Sequence, residues 1–329
     1  MSNSSSIRSQ TSFRGRNPTP SSPTVSVLIN AYNGERFIGE AIESVLAQTY
    51  DDYEIVVFDD ASTDRTGEIA NSFGAKVRYF RSATQLPLGA ARNRGMELCH
   101  GRFISFLDQD DLYLPKKLEL QIPEFDDPAV GLVFSNSMRF WENSDQTDPS
   151  HKSRPIDGEA FAALVRSNYL SLPSVVIRKS ALPEERAWWF PESFKMCEEA
   201  DLFVRLAYKH RLKYVDAVLA KYRMHESNFS NLQRELVAME RRQILERLDR
   251  VVPDFRRRFA PERAFALAHI CREEARQFWR KGDTTRACEA YRRSLAEDFK
   301  PVFALESLLC RIVPFPAYTK LRRVIRRPL

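Results

Sequence analysis

The sequence predicts an α/β fold: a doubly wound, mostly parallel sheet flanked by helices, followed by a C-terminal α-helical appendage. Three observations carry this. Short β-rich runs (VSVLINA 25–31, YEIVVF 53–58, KVRYF 76–80, RFISFL 102–107) alternate with segments at helical spacing. The runs are mostly apolar throughout, as strands covered on both faces are. From Leu232 onward the strand pattern stops and helical periodicity takes over. The expected division is a disordered Ser/Pro-rich arm at 1–23, a sheet-bearing domain at 24–231 and a basic helical region at 232–329.

Between the first two strands, ERFIGEAIESVLAQT places Phe37, Ile38, Ala41, Ile42, Val45 and Leu46 on one helical stripe. Asp64 and Thr66 supply caps for a helix to about Phe73, and a third helix spans about Leu88 to Cys99. After Pro115 the pattern loosens. GLVFSN (131–136) and PSVVIR (173–178) read as strands, separated by a polar stretch, Glu142 to Pro155, expected to be a mobile loop. A helix is expected from Glu198 to His210, then the strand LKYVDAVLA at 212–220. Residues 262–296 read as a helical hairpin turned at Lys281-Gly282-Asp283, loosely similar to one tetratricopeptide unit. A single copy is no repeat array.

With 43% apolar and 29% charged residues the chain has globular composition. No stretch approaches the roughly 18 apolar residues that cross a bilayer. The N-terminus has no apolar core of the secretory kind. The five cysteines are scattered, with no CxxC pair, which points to free thiols in a reducing compartment and against a structural zinc. A cytoplasmic location is expected. From Glu240 to Leu329, 22 Lys+Arg face 12 Asp+Glu, a net +10, leaving −4 on the rest of a chain of net +6. The tail LLCRIVPFPAYTKLRRVIRRPL mixes apolar and basic residues, so it suits peripheral contact with the inner face of a membrane. The alternative is a solvated basic helix packed on the domain. No base-reading motif accompanies the charge, so nucleic acid is not an expected partner.

Two acidic clusters end strands: Asp59 and Asp60 after YEIVV, and Asp108, Asp110 and Asp111 after RFISF. In a parallel sheet both open at one edge, the usual ligand-binding edge. Crowded carboxylates repel unless a cation sits among them, and hard oxygen donors suit Mn²⁺ or Mg²⁺ bridging to a diphosphate. Helix capping is the competing explanation, and Asp64 and Asp111 are placed for it. A third cluster, CEEADLFVRL (197–206), puts Glu199 near the middle of the arc of Leu202, Phe203, Leu206 and Ala207. Asp201 falls opposite, beside Arg205, an i,i+4 pair that contributes only a few tenths of a kcal/mol, roughly, so Asp201 is better explained by structure.

VSVLINAYNGERFIGEAIESVLAQTY, EIVVFDDASTD and LGAARNRGMELCHGRFISFLDQDD, in that order, resemble the family 2 glycosyltransferases of GT-A fold. The resemblance covers about two thirds of the chain, more weakly to about Ser230. It implies that Ala31, Tyr32 and Glu35 line a base pocket, and that Asp60, supported by Asp59, receives a hydrogen bond from a uracil-type ring. It places Arg92 near the donor phosphate or ribose, an interhelical ion pair being the other reading. Asp108 and Asp110 become the DxD element for ribose and metal, with Asp111 a further metal candidate. Glu199 becomes the general base, where the family usually carries Asp. In YRMHESNFS (222–230), His225 is a candidate contact to metal or diphosphate and Arg223 a candidate neutraliser of leaving-group charge. The function implied is inverting transfer of a sugar from a nucleotide diphosphate sugar, UDP above others, to a hydroxyl of a saccharide or lipid-linked acceptor, in polysaccharide, glycan or glycolipid synthesis. Two rivals stand beside it. A nucleotidyltransferase would need a Gly-rich, cationic loop after the first strand, where AYNGER stands instead. An inactive nucleotide-sugar-binding or scaffold protein would use the helical tail to recruit partners.

Overall fold

The computed structural model describes residues 22–142, 144–226 and 234–325. The arm predicted at 1–23 lies, up to residue 21, outside them, as does the YRMHESNFS element beyond Glu226. The first half is built of βα units: β1 (Val25–Ala31), α1 (Ile38–Leu46), β2 (Tyr53–Asp59), α2 (Thr66–Ser72), β3 (Val77–Arg81), α3 (Leu88–Glu97) and β4 (Phe103–Asp108). β5 (Leu112–Tyr113), α4 (Lys117–Gln121), β6 (Val130–Trp141), β7 (Ser144–Pro149), α5 (Phe161–Arg166), β8 (Val175–Arg178), α6 (Glu198–Lys209) and β9 (Arg211–Met224) follow. The strands form one sheet in the order β3-β2-β1-β4-β8-β6-β9-β5, with β7 on β6. β3, β2, β1 and β4 are mutually parallel, whereas β8 runs antiparallel to both β4 and β6.

Both faces of the sheet are covered, which explains the unbroken apolar runs. Val25, Val27 and Ile29 of β1 pack with Ile38, Ala41, Ile42 and Val45 of α1 on one side. Leu28 and Val56 join Met96, Leu202 and Phe203 on the other. The parallel register sets Ala31 opposite Asp59 and Asn30 opposite Asp108, so the acidic strand ends open at one edge.

Two expectations are corrected. The polar stretch after Glu142 contains β7, a strand paired antiparallel with β6 and tied to it by an Arg139–Asp148 ion pair. Ser144, Asp145, Gln146 and Thr147 are exposed, so the strand buries no face and leaves no period-two signal. The second correction concerns α6, which is buried nearly all round. Asp201 is fully buried, accepting from Arg205 Nε at 2.9 Å and from Arg247 Nε at 2.9 Å, and Arg205 also donates to the carbonyl oxygens of Trp188 and Trp189. The pair is therefore part of an interior network and not a weak surface contact. Helical periodicity could not reveal that later helices cover the second face.

Those helices are α7 (Val237–Val251), α8 (Phe255–Arg258), α9 (Ala260–Arg280), α10 (Thr284–Glu297), α11 (Pro301–Leu309) and α12 (Phe315–Ile325). α9 and α10 form the expected hairpin, with Gly282 at φ 79° in its turn and Asp283 capping α10 through Arg286 N–H. Beneath α11 the Glu306 carboxylate is buried against Arg272 and Arg276 and accepts from the Tyr291 hydroxyl. Hydrogen bonds from those two guanidinium groups outweigh burial and hold the Glu306 pKa down to about 2.

Candidate active site

The loops after β1 and β2 are laced together. Asn33 N–H donates to Ser62 Oγ at 3.0 Å, Asn33 Oδ1 accepts from Thr63 N–H at 2.8 Å, and Gly34 N–H donates to Thr66 Oγ1 at 2.7 Å. Glu35 N–H donates to Asp64 Oδ2 at 3.0 Å, and its carboxylate accepts from Arg65 N–H at 3.1 Å. Asn33 (φ 48°) and Ala61 (φ 61°) both occupy the left-handed region, which is costly for alanine, and such strain concentrates at functional sites. Asp59 is wholly buried and holds the turn through Ser62 N–H and the Tyr79 hydroxyl. Asp60 accepts from Leu86 N–H at 2.9 Å, and burial raises its pKa.

The DQDD turn leaves β4 beside these loops. The Gln109 amide clamps the Tyr32 backbone, accepting from its N–H at 2.8 Å and donating to its C=O at 3.0 Å. This fastens the turn to the end of β1, where Ala31 is buried and Tyr32 exposed. A Cβ on Gly34 would lie 2.2 Å from Gln109 Oε1. Gly34→Ala is therefore expected to push the amide out of its clamp, and losing two hydrogen bonds of about 1 kcal/mol each should lower stability by about 2 kcal/mol in urea or thermal melting.

Asp110 Oδ2 lies 2.9 Å from His225 Nε2. Burial first, then the Asp108 charge, raises the Asp110 pKa against the pull of His225. Two ligands on neighbouring vertices of an octahedral ion, each at roughly 2.1 Å, stand about 3 Å apart. Asp110 and His225 are hydrogen-bonded to each other, and a cation held by both would replace that bond. Among the described residues no cluster of three or more His, Cys, Asp or Glu side chains is placed to hold a metal by itself. Asp111 is buried, accepts from Arg223 N–H at 2.9 Å, and keeps its other oxygen buried without a hydrogen-bond partner among the described residues. Arg223 donates to the Asp110 carbonyl oxygen at 2.9 Å and to Glu40 at 2.6 Å.

Arg92, on α3, joins the two halves of the site. Its guanidinium donates to Asp108 Oδ1 at 2.9 Å, pairs closely with Glu198 and lies 3.8 Å from Glu199 Oε2. Burial alone would lower its pKa, but the charges of Asp108, Glu198 and Glu199 outweigh it and raise it. Of the two acids opening α6, Glu198 is 1% exposed and locked to Arg92, whereas Glu199 keeps 23% of its side chain accessible. Burial and the neighbouring Glu198 charge, opposed by Arg92, push the Glu199 pKa up to about 8. A cavity of about 290 Å³ opens beside Glu199, lined also by Leu164, Ala200 and Val204 and by Ile244 and Ala266 from the C-terminal helices.

The contacts join the predicted residues into separate sets. Arg92 ties Asp108 to Glu199, and Asp110 pairs with His225. Tyr32 and Glu35 are exposed in the loop after β1, and Asp60 is buried just past β2. Asp59 and Asp111 are buried supports that reach no open surface. For Arg92 the ion-pair alternative describes the contacts present. Sequence reasoning passed over Asn33, Gln109, Ser62 and Glu198. The Asn33-Gly34 dipeptide was a visible turn signal, whereas nothing local marks Gln109 as a clamp on Tyr32.

A parallel sheet with this acidic edge, an antiparallel insertion and covering helices is the architecture of the GT-A glycosyltransferases. The structure is similar to Staphylococcus aureus TarS 1–349 in complex with UDP-GlcNAc, with a TM-score of 0.54 and 21% identity over 84% of this chain and 88% of that one. It is also similar to the mannosyltransferase PcManGT of Pyrobaculum calidifontis, solved with GDP-Man and Mn²⁺, with a TM-score of 0.59 and 18% identity over 92% and 84% of the chains. The chain belongs to glycosyltransferase family 2: the model described as glycosyl transferase family 2 matches residues 26–182. An uncharacterized glycosyltransferase of Rickettsia typhi is 33% identical over 225 residues, 64% of this chain and 67% of that protein. The UDP-Glc:α-D-GlcNAc-diphosphoundecaprenol β-1,3-glucosyltransferase WfgD of Escherichia coli is 34% identical over 113 residues, 34% of this chain and 45% of that protein.

Proposed function

We propose that this enzyme transfers a sugar, with inversion, from a nucleotide diphosphate sugar, UDP favoured, to a hydroxyl of a saccharide or lipid-linked acceptor. One observation carries the reading: a single guanidinium, Arg92, contacts Asp108 at 2.9 Å and stands 3.8 Å from Glu199. The acid that would hold the donor and the acid that would activate the acceptor thus share one cation. UDP is favoured because the names of WfgD and the TarS complex specify UDP-sugars, and a lipid-linked acceptor because WfgD is named for one. Residues 24–231 would form the transferase domain and 232–329 its helical appendage.

In this mechanism Ala31, Tyr32 and Glu35 border the nucleobase, Asp60 accepts from the ring, and Asp108 holds the ribose. Asp110 and His225 would hold Mn²⁺ or Mg²⁺ together with diphosphate oxygens. When bound, the cation neutralises charge on the departing nucleotide diphosphate. Glu199 takes the proton of the acceptor hydroxyl as that oxygen bonds to the anomeric carbon. The bond from that carbon to the diphosphate oxygen breaks on the opposite face, its electron pair leaving with the nucleotide. No sugar–enzyme bond forms, hence inversion. Arg92 fixes Asp108 and Glu199 relative to each other, and alignment of the two substrates accounts for several kcal/mol of barrier lowering, roughly. Arg223 holds the DQDD turn and lies where leaving-group charge develops.

The test is transfer from UDP- and GDP-sugars to candidate acceptors, with EDTA and after Mn²⁺ is restored. Product of inverted configuration that disappears with EDTA and returns with Mn²⁺ is expected. Metal-independent transfer would remove the cation from the scheme. Binding of the nucleotide sugar without transfer or donor hydrolysis would favour the inactive scaffold.

A further inference from the structure

Nine large apolar side chains are exposed among the described residues, and five of them, Phe299, Val302, Leu305, Leu308 and Ile312, fall within 299–312. That concentration needs an explanation, whereas scattered exposed apolar residues need none. α11 organises it. Its inner face buries Phe303 and Glu306, and the clamp of Arg272 and Arg276 on Glu306 fixes the helix rotation. Its outer face is therefore held toward solvent, with Leu308 62% and Ile312 79% exposed.

The sequence beyond Asp298 is basic: seven Lys+Arg stand against a single acid, Glu306, which is sequestered beneath α11. Lys300 pairs with Asp298 at 3.0 Å, whereas Arg311, next to Ile312, and Lys320 on α12 are exposed. Exposed apolar side chains in a segment with an excess of cations fit a surface that is apolar below and anionic above. A second copy of this chain would bring like charges together. No helix of the described residues is long and apolar enough to cross a membrane, so such contact would be made in the interfacial plane. We propose that the outer face of α11, with Phe299 and Ile312 at its ends and together with Arg311 and Lys320, docks the enzyme on an anionic lipid bilayer. Transfer to an acceptor in solution does not depend on it.

The full chain is sedimented with vesicles of phosphatidylcholine alone and of phosphatidylcholine with an equal part of phosphatidylglycerol. Binding to the anionic vesicles, at least tenfold weaker to the neutral ones and weakened by salt, is expected. The double variant L305D/L308D should bind the anionic vesicles at least tenfold more weakly, and R311E/K320E should lose most of the preference for them. Both change exposed positions, so unaltered melting temperature and nucleotide-sugar binding verify the fold and separate this proposal from the transferase reading. Failure of the wild-type chain to bind, or equal binding by L305D/L308D, overturns it. So does a light-scattering result in which the wild-type chain is a dimer and L305D/L308D a monomer, since the face would then be covered by a second copy.

Discussion

Glu199→Gln is expected to lower kcat by about 10²- to 10⁴-fold, the usual range for losing a positioned general base, with donor affinity within about twofold of wild type. The amide keeps the shape of the side chain and removes its capacity to take a proton. Glu198 cannot substitute, being buried and engaged by Arg92. The pH dependence adds a second signature. A base works only when deprotonated, and burial beside Glu198 holds the Glu199 pKa near 8 in the substrate-free protein. Activity should therefore fall as pH drops through that region, well above the ordinary carboxylate range. In kcat/KM, which reports the free enzyme, the acid limb should lie near 8. Full turnover by E199Q would remove Glu199 from the base role.

Arg92→Met is expected to damage stability and activity together. The side chain is 5% exposed and is the shared cation of Asp108, Glu198 and Glu199. Removing one member of a buried ionic cluster leaves uncompensated charge, typically at a cost of about 3–5 kcal/mol. Urea or thermal melting of R92M should show a loss of that order. Part of it should return in R92M/E198Q, where the stranded buried carboxylate is gone. Turnover should not return, because Asp108 and Glu199 would still lack their common tie. Arg92→Lys keeps the charge but not the planar fork that reaches several carboxylates at once. Its stability should lie between wild type and R92M. If R92M/E198Q regained wild-type turnover, Arg92 would have no positioning role.

What was legible in the sequence follows from how each part is encoded. β1 to β4 and their helices were readable because a parallel strand covered on both faces leaves a continuous apolar run. The placement of Asp59 and Asp108 at one edge followed from the parallel arrangement, and the register puts them beside Ala31 and Asn30. β7 left no signal because its pairing is carried by backbone hydrogen bonds. On α6, the helical stripe set Glu199 apart from Asp201, but it missed that Arg247, 46 residues away, closes over Asp201. Gln109 and Arg92 share that difficulty. Their partners, Tyr32 and Glu198, lie 77 and 106 residues away, so the contacts exist only once the sheet edge has formed.

If Asp60, the DQDD turn and Glu199 serve one nucleotide-sugar site, melting the full chain with UDP- and GDP-sugars in the presence and absence of Mn²⁺ reveals it. A ligand at a hundredfold its dissociation constant stabilises the folded state by about 2.7 kcal/mol. A rise of about 4 °C is expected with one nucleotide sugar and Mn²⁺ together, kept by E199Q and lost when Asp110 is replaced by Asn. A melting temperature that no nucleotide sugar moves, with or without Mn²⁺, would contradict it.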